Sequence, residues 1–136
     1  ADVTYFGYGP MESYPDKHHD AKLGLYTSDV DSLHEDYLRP QENGSHWNCS
    51  GLALTSSDHR SLLISGVQNF SFNASRYTQE ELTTKAHSFE LEKSPYTVLC
   101  LDGYMSGCGS NSCGPALAKE YRVDRDKLTF TFTLNF

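Results

Sequence analysis

From residue 128 onward, apolar and polar residues alternate without a break. Leu128, Phe130, Phe132, Leu134 and Phe136 stand against Thr129, Thr131, Thr133 and Asn135. A period of two sends the two sets to opposite faces of a strand, so the pattern predicts a strand with one face in a core. Shorter runs elsewhere repeat the theme. Residues 3–8, 23–26, 51–55, 61–65, 96–101 and 120–123 read as strands, and Phe70 and Phe72 alternate with Ser71 and Asn73. The polar segment 56–60 between two of these runs is a hairpin signal, and Asn43-Gly44 is the dipeptide most tolerant of positive φ. The one helix signal is Thr78-Gln79-Glu80-Glu81, a capping box, followed by Leu82 and Ala86 four apart. Eight or nine short strands with one short helix near 78–87 predict a mainly β protein built as an antiparallel β-sandwich.

A chain of 136 residues suits one domain, here 1–136. The acidic balance, net charge −7 with no basic cluster, excludes a nucleic-acid footprint. No apolar run approaches the ~18 residues a membrane helix needs, so no membrane partner is expected. Residues 3–6 read as a strand already under way, the pattern expected of a fragment of a larger protein. Cys49, Cys100, Cys108 and Cys113 show no zinc-ligand spacing, and reduced thiols in the cytoplasm are the simplest reading. Asn43, Asn48, Asn69 and Asn73 each begin an N-x-S sequon, which turn-rich composition alone accounts for.

Binding chemistry is concentrated in the stretch 96–115. Its first half is strand-like. Its second half sets Gly103, Gly107, Gly109, Gly114 and Pro115 among serines and cysteines, a loop presented at a strand end. Sugar hydrolysis requires two carboxyl groups at a fixed separation. Glu12, Asp16, Glu35, Asp36, Glu42 and Asp102 are available, but nothing in their spacing selects a pair. His18, His19, His34, His46, His59 and His87 follow no metal-ligand spacing. Cys108 or Cys113 as a nucleophile lacks a neighbouring base. Trp47 and the tyrosines suit sugar stacking or core packing equally.

Four ordered segments resemble the C-terminal domain of the large bacterial β-galactosidases of glycoside hydrolase family 2. They are Tyr5-Phe6-Gly7-Tyr8-Gly9-Pro10-Met11-Glu12-Ser13-Tyr14-Pro15-Asp16-Lys17; Arg39-Pro40-Gln41-Glu42-Asn43-Gly44; Phe72-Asn73-Ala74-Ser75-Arg76-Tyr77-Thr78-Gln79; and Asp102-Gly103 with Gly107-x-Gly109 and Ser112-Cys113-Gly114-Pro115. The resemblance implies a galactose mutarotase-like β-supersandwich of about twice this length, of which this chain is the C-terminal half. It implies a parent that hydrolyses terminal β-D-galactosyl residues such as those of lactose with retention, through glutamates in a barrel domain outside this chain. No residue here is then catalytic and none binds metal. This chain holds no cofactor, and the family's magnesium and sodium are bound mostly in other domains.

The family's closing loop reaches the barrel's active site, and some members carry there a Trp that stacks on the outer sugar. Here that position is Cys113. The resemblance therefore implies Asn111, Ser112 and Cys113 as substrate-binding residues of the outer subsite, with a smaller contact surface than an indole offers. Expected partners are the rest of the β-galactosidase, galactosides and a second copy of the chain, since half a supersandwich leaves open edges and apolar surface. Two other readings compete: a stand-alone carbohydrate-binding β-sandwich, and a purely structural assembly domain.

Overall fold

The computed structural model describes residues 1–109 and 115–136. Six strands form one antiparallel sheet: β1 (Asp2–Gly9), β2 (Lys22–Asp29), β3 (His46–Thr55), β4 (Ser61–Ser75), β5 (Val98–Asp102) and β6 (Phe132–Asn135). Their order is β2-β1-β3-β4-β5, with β6 also paired to β4. The expected mainly β, antiparallel class with one short helix is what the described residues adopt. A six-stranded open sheet of this kind is consistent with one layer of a β-sandwich.

The register explains the core. Tyr5 lies opposite Leu52, which lies opposite Ile64; Val3, Leu54 and Leu62 form the next row. These side chains share one face because successive residues alternate across the pleat. Val30 and Leu33, from the connection after β2, complete the same cluster with Phe70, Phe72 and Ala74. Phe6 pairs with Leu25 on the opposite face, where Phe6, Leu25 and Leu63 remain exposed. The sheet therefore has one filled face and one that still carries apolar side chains.

Strand β4 is the longest element, at 15 residues. The expected separate strands 61–65 and 70–73 are its two ends, joined through a bulge. Ser65 to Phe70 on β4 opposes only Gly51 to Cys49 on β3. Beyond the bulge β4 changes partner on its other edge, pairing β6 through 63–66 and β5 through 71–75.

Three local expectations change. The alternation over 128–136 yields a strand only at Phe132–Asn135. Residues 128–130 lie off the sheet, where Phe130 packs on the loop after β5: a Cβ on Gly103 would lie 2.3 Å from its ring, while the Thr131 carbonyl still accepts the Val67 amide of β4 at 3.1 Å. Residues 120–123 form no strand; Lys119–Tyr121 is a 3-10 turn. The helix is Gln79–Thr84, shorter than 78–87, and buries Leu82 but not Ala86. Thr78 caps it as expected, its hydroxyl accepting from the Glu81 amide at 3.1 Å. Glu81 does not complete the box; its carboxylate accepts the Glu92 amide at 2.9 Å and faces Lys85.

Candidate functional site

The four segments singled out in the sequence, the last of them through its described residues 102–109, interlock at one end of the sheet. β1 ends at Gly9, and the chain then turns through a cis Gly9-Pro10 bond into 11–20. Glu12 is buried there, and the burden of desolvation pushes its carboxyl upward. Hydrogen bonds outweigh that burden. Lys17 donates at 2.5 Å, Tyr37 donates its hydroxyl hydrogen, and the Gly44 amide donates at 2.8 Å. Together with the Lys17 charge they hold the carboxyl below its usual range, so Glu12 is ionised at neutral pH. Lys17 is raised well above the ordinary lysine range, chiefly by its bond to Glu12.

Gly44 reaches Glu12 through the positive φ that the Asn-Gly dipeptide predicts, +72°. A side chain there would also meet the Leu33 carbonyl oxygen, only 2.4 Å from the Cβ position. Asn43 accepts the Glu35 amide at 2.9 Å and donates to the Gln41 carbonyl at 2.9 Å. Asn73 of β4 donates its side-chain amide to the Asn43 carbonyl. Asn43 and Asn73 are both buried, which removes these two sequons as glycan acceptors in the folded chain.

Asp16 ties in the fourth segment. Its two carboxylate oxygens accept the Cys108 and Gly109 amides at 3.1 and 3.3 Å. Nearby, Glu42 is raised by burial and further by Asp102 and Glu12, while a bond from Gln79 opposes the shift. Asp102 is raised by burial. The glutamine at the head of the helix thus meets the acid of the 39–44 turn, and its amide also approaches Cys100 Sγ at 3.7 Å.

Of the other acids considered, Glu35 and Asp36 are exposed. His18 and His19 do come side by side, ring centroids 5.2 Å apart. Yet among the described residues no group of three His, Cys, Asp or Glu side chains converges as a metal site. His18 instead packs on Trp47, at 4.5 Å, with Tyr8 completing the ring cluster. His46 is buried against Tyr5 and Phe72 and lowered by desolvation to about 4, hence neutral. His34 packs on Tyr77, His59 sits in the exposed hairpin turn, and His87 pairs with Glu90. Burial raises the Cys49 thiol to about 12. Burial and then Asp16 also raise Cys108, which makes it a poor nucleophile at neutral pH.

Asn111, Ser112 and Cys113 lie outside the described residues. Sequence reasoning missed Lys17 and Tyr37 as partners of Glu12. For Lys17 the usable signal was that 12–17 and 42–44 both carried motif residues, which meet through Glu12 and Gly44; Tyr37 lies in neither segment, and nothing local in the sequence marks it. Beside them, a cleft of about 300 Å³ is lined by Glu12, Lys17, His18, His19, Glu35 and Tyr37.

Residues 1–134 match the family model described as "Beta galactosidase small chain". A β-galactosidase of Actinobacillus pleuropneumoniae is 52% identical over 134 residues, covering 98% of this chain and 13% of that protein. One of Staphylococcus xylosus is 37% identical over 134 residues, again 98% of this chain and 13% of the relative. One of Oenococcus oeni is 34% identical over 132 residues, 96% and 12%. The chain thus spans about an eighth of the length of these relatives. With the family model matched along nearly its whole length, the chain belongs to the β-galactosidase small-chain family.

Proposed function

We propose that this chain is the small-chain part of a β-galactosidase that hydrolyses terminal β-D-galactosyl residues, lactose among its substrates. It supplies structure and one wall of the sugar site. The catalytic acids come from the larger part, and the chain alone is inactive. The observation that carries this reading is the family match over residues 1–134, set beside relatives that are about eight times longer. Two of the acids fit it: Glu12 and Asp16 are engaged in holding loops together, and neither is left for proton transfer.

In this reading residues 1–136 are half of a larger β-supersandwich domain. The loop entered at Asp102 forms the wall, with Asn111, Ser112 and Cys113 at the outer sugar subsite. Any magnesium or sodium of the parent is held in its other parts. The exposed Phe6, Leu25 and Leu63 support docking to the larger part, and self-association when that part is missing. A cytoplasmic location fits the free thiols of Cys49, Cys100 and Cys108. Among the described residues no helix is long and apolar enough to cross a membrane.

Assaying lactose and an aryl galactoside with this chain, with the larger part, and with the two combined tests the proposal. Activity is expected only in the combination. Hydrolysis by this chain alone, or full activity without it, overturns the reading. A stand-alone sugar-binding module would use the cleft of about 350 Å³ lined by Trp47, Tyr104, Tyr121 and Arg122. Titrating galactose into the isolated chain separates that alternative.

A further inference from the structure

We infer that Asp16 is a positioning residue for the closing loop, fixing residues 107–109 and thereby setting affinity for the group in the galactoside's outer subsite. The inference rests on the reading above that this loop walls the sugar site.

Asp16 stands at the tip of a rigid arm. Tyr14 and Lys17 exchange backbone hydrogen bonds at 2.8 and 3.0 Å, closing a tight turn with Pro15 and Asp16 at its centre. Both ends of the turn are held. Tyr14 is buried at 1% exposure, and Lys17 is paired to Glu12. The carboxylate therefore projects from a fixed base.

The loop is shaped to receive it. Consecutive amides of Cys108 and Gly109 donate to Oδ1 and Oδ2 respectively, so both oxygens are engaged by the loop. Successive amides curled around an anion form a concavity that suits a carboxylate. Gly107 makes the curl, with φ at +114°, and a Cβ there would lie 2.4 Å from Asp16 Cγ. Both the backbone conformation and the close approach require glycine. The contact joins residues more than ninety positions apart, so it fixes the loop relative to the sheet and not merely within itself. An aspartate offers two acceptors on a short stem. Asparagine would replace one acceptor with a donor facing another donor.

The test uses the assembled β-galactosidase carrying Asp16→Asn or, approaching the same contact from the loop side, Gly107→Ala. Amide hydrogen exchange at 107–109 and steady-state kinetics are both measured, with the thermal midpoint as a check on folding. In each variant the Cys108 and Gly109 amides should exchange about tenfold faster, as expected for weakened charge-assisted bonds. The KM for lactose should rise several-fold while kcat changes by less than about twofold, the mark of lost substrate binding. Unchanged exchange in both variants overturns the clasp whatever the kinetics. Faster exchange with unchanged KM overturns its role in affinity. In that case Cys113→Trp locates the failure. If Cys113→Trp shifts KM, the loop walls the site and only the Asp16 inference falls; if it does not, the reading of the loop falls with it.

Discussion

The Glu12 carboxylate accepts the Gly44 amide at 2.8 Å across 32 positions of sequence. That bond joins the turn after β1 to the turn before β3, and the two other donors on Glu12 come from the same neighbourhoods. The three donors together hold this buried carboxylate in its ionised form. Glu12→Ala would strand the Gly44 amide, and we expect a loss of about 2–3 kcal/mol in urea unfolding. Lys17→Met should cost less, about 1 kcal/mol, because the lysine side chain is half exposed. An equal loss from the two variants would contradict the hub. The pH dependence has a definite sign: with its folded pKa depressed, Glu12 contributes stability above the ordinary carboxylate range, lost as pH falls through the folded value.

His46 gives a second acid-labile contribution at higher pH. Its folded pKa of about 4 lies below the ordinary 6.5 because the ring is buried. Protonation therefore favours the unfolded chain. Stability is complete above 6.5 and falls between 6.5 and 4, by up to about 3 kcal/mol. Replacing the ring with phenylalanine should flatten that part of the stability curve; NMR titration should give the ring's pKa directly. A value near 6.5 would mean that the ring is solvated.

Two glycines separate backbone strain from mere smallness. Gly44→Ala must hold a positive φ and push on the Leu33 carbonyl oxygen, so a loss of more than about 2 kcal/mol is expected. Gly51→Ala meets nothing nearer than the Ile64 carbonyl oxygen, at 4.0 Å. It should be neutral or slightly stabilising, by up to about 1 kcal/mol. Chemical denaturation of the pair decides; comparable losses would remove the strain argument.

The thiols should sort by burial. Maleimide at mildly alkaline pH, followed by peptide mapping, should label the exposed Cys108 in the native chain, though more slowly than a free thiol because its pKa is raised. Cys49, fully buried and raised to about 12, should label only when the chain unfolds. Native labelling of Cys49 would show that the β1–β3 interface opens freely.

Local chemistry was legible from the sequence where one segment decides its own conformation. The Asn43-Gly44 turn, the Thr78 cap and the hairpin at 56–60 all depend on neighbours a few residues away. The alternation over 128–136 was legible as a pattern but not as a length. Whether Phe130 joins the sheet or covers Gly103 depends on where β5 leaves β4, which no periodicity records. The site was half visible. Glu12 and Asp16 could not be told from the other acids by spacing, because what distinguishes them are amides at Gly44, Cys108 and Gly109. Only the ordered motifs pointed there.

The sharing of one edge of β4 has a kinetic consequence. β6 pairs only 63–66, and with β5 docked it must still close the whole connection from Asp102 to Phe132 to do so. Loop closure costs grow only slowly with length, but four paired residues return little against them. β6 should therefore detach before any other strand in native-state exchange, well below the free energy of global unfolding. While it is away, the first half of the β4 edge is bare and β5 still guards the second. The sheet then offers one short, defined stretch of unpaired backbone, and any strand that docks there competes with the chain's own.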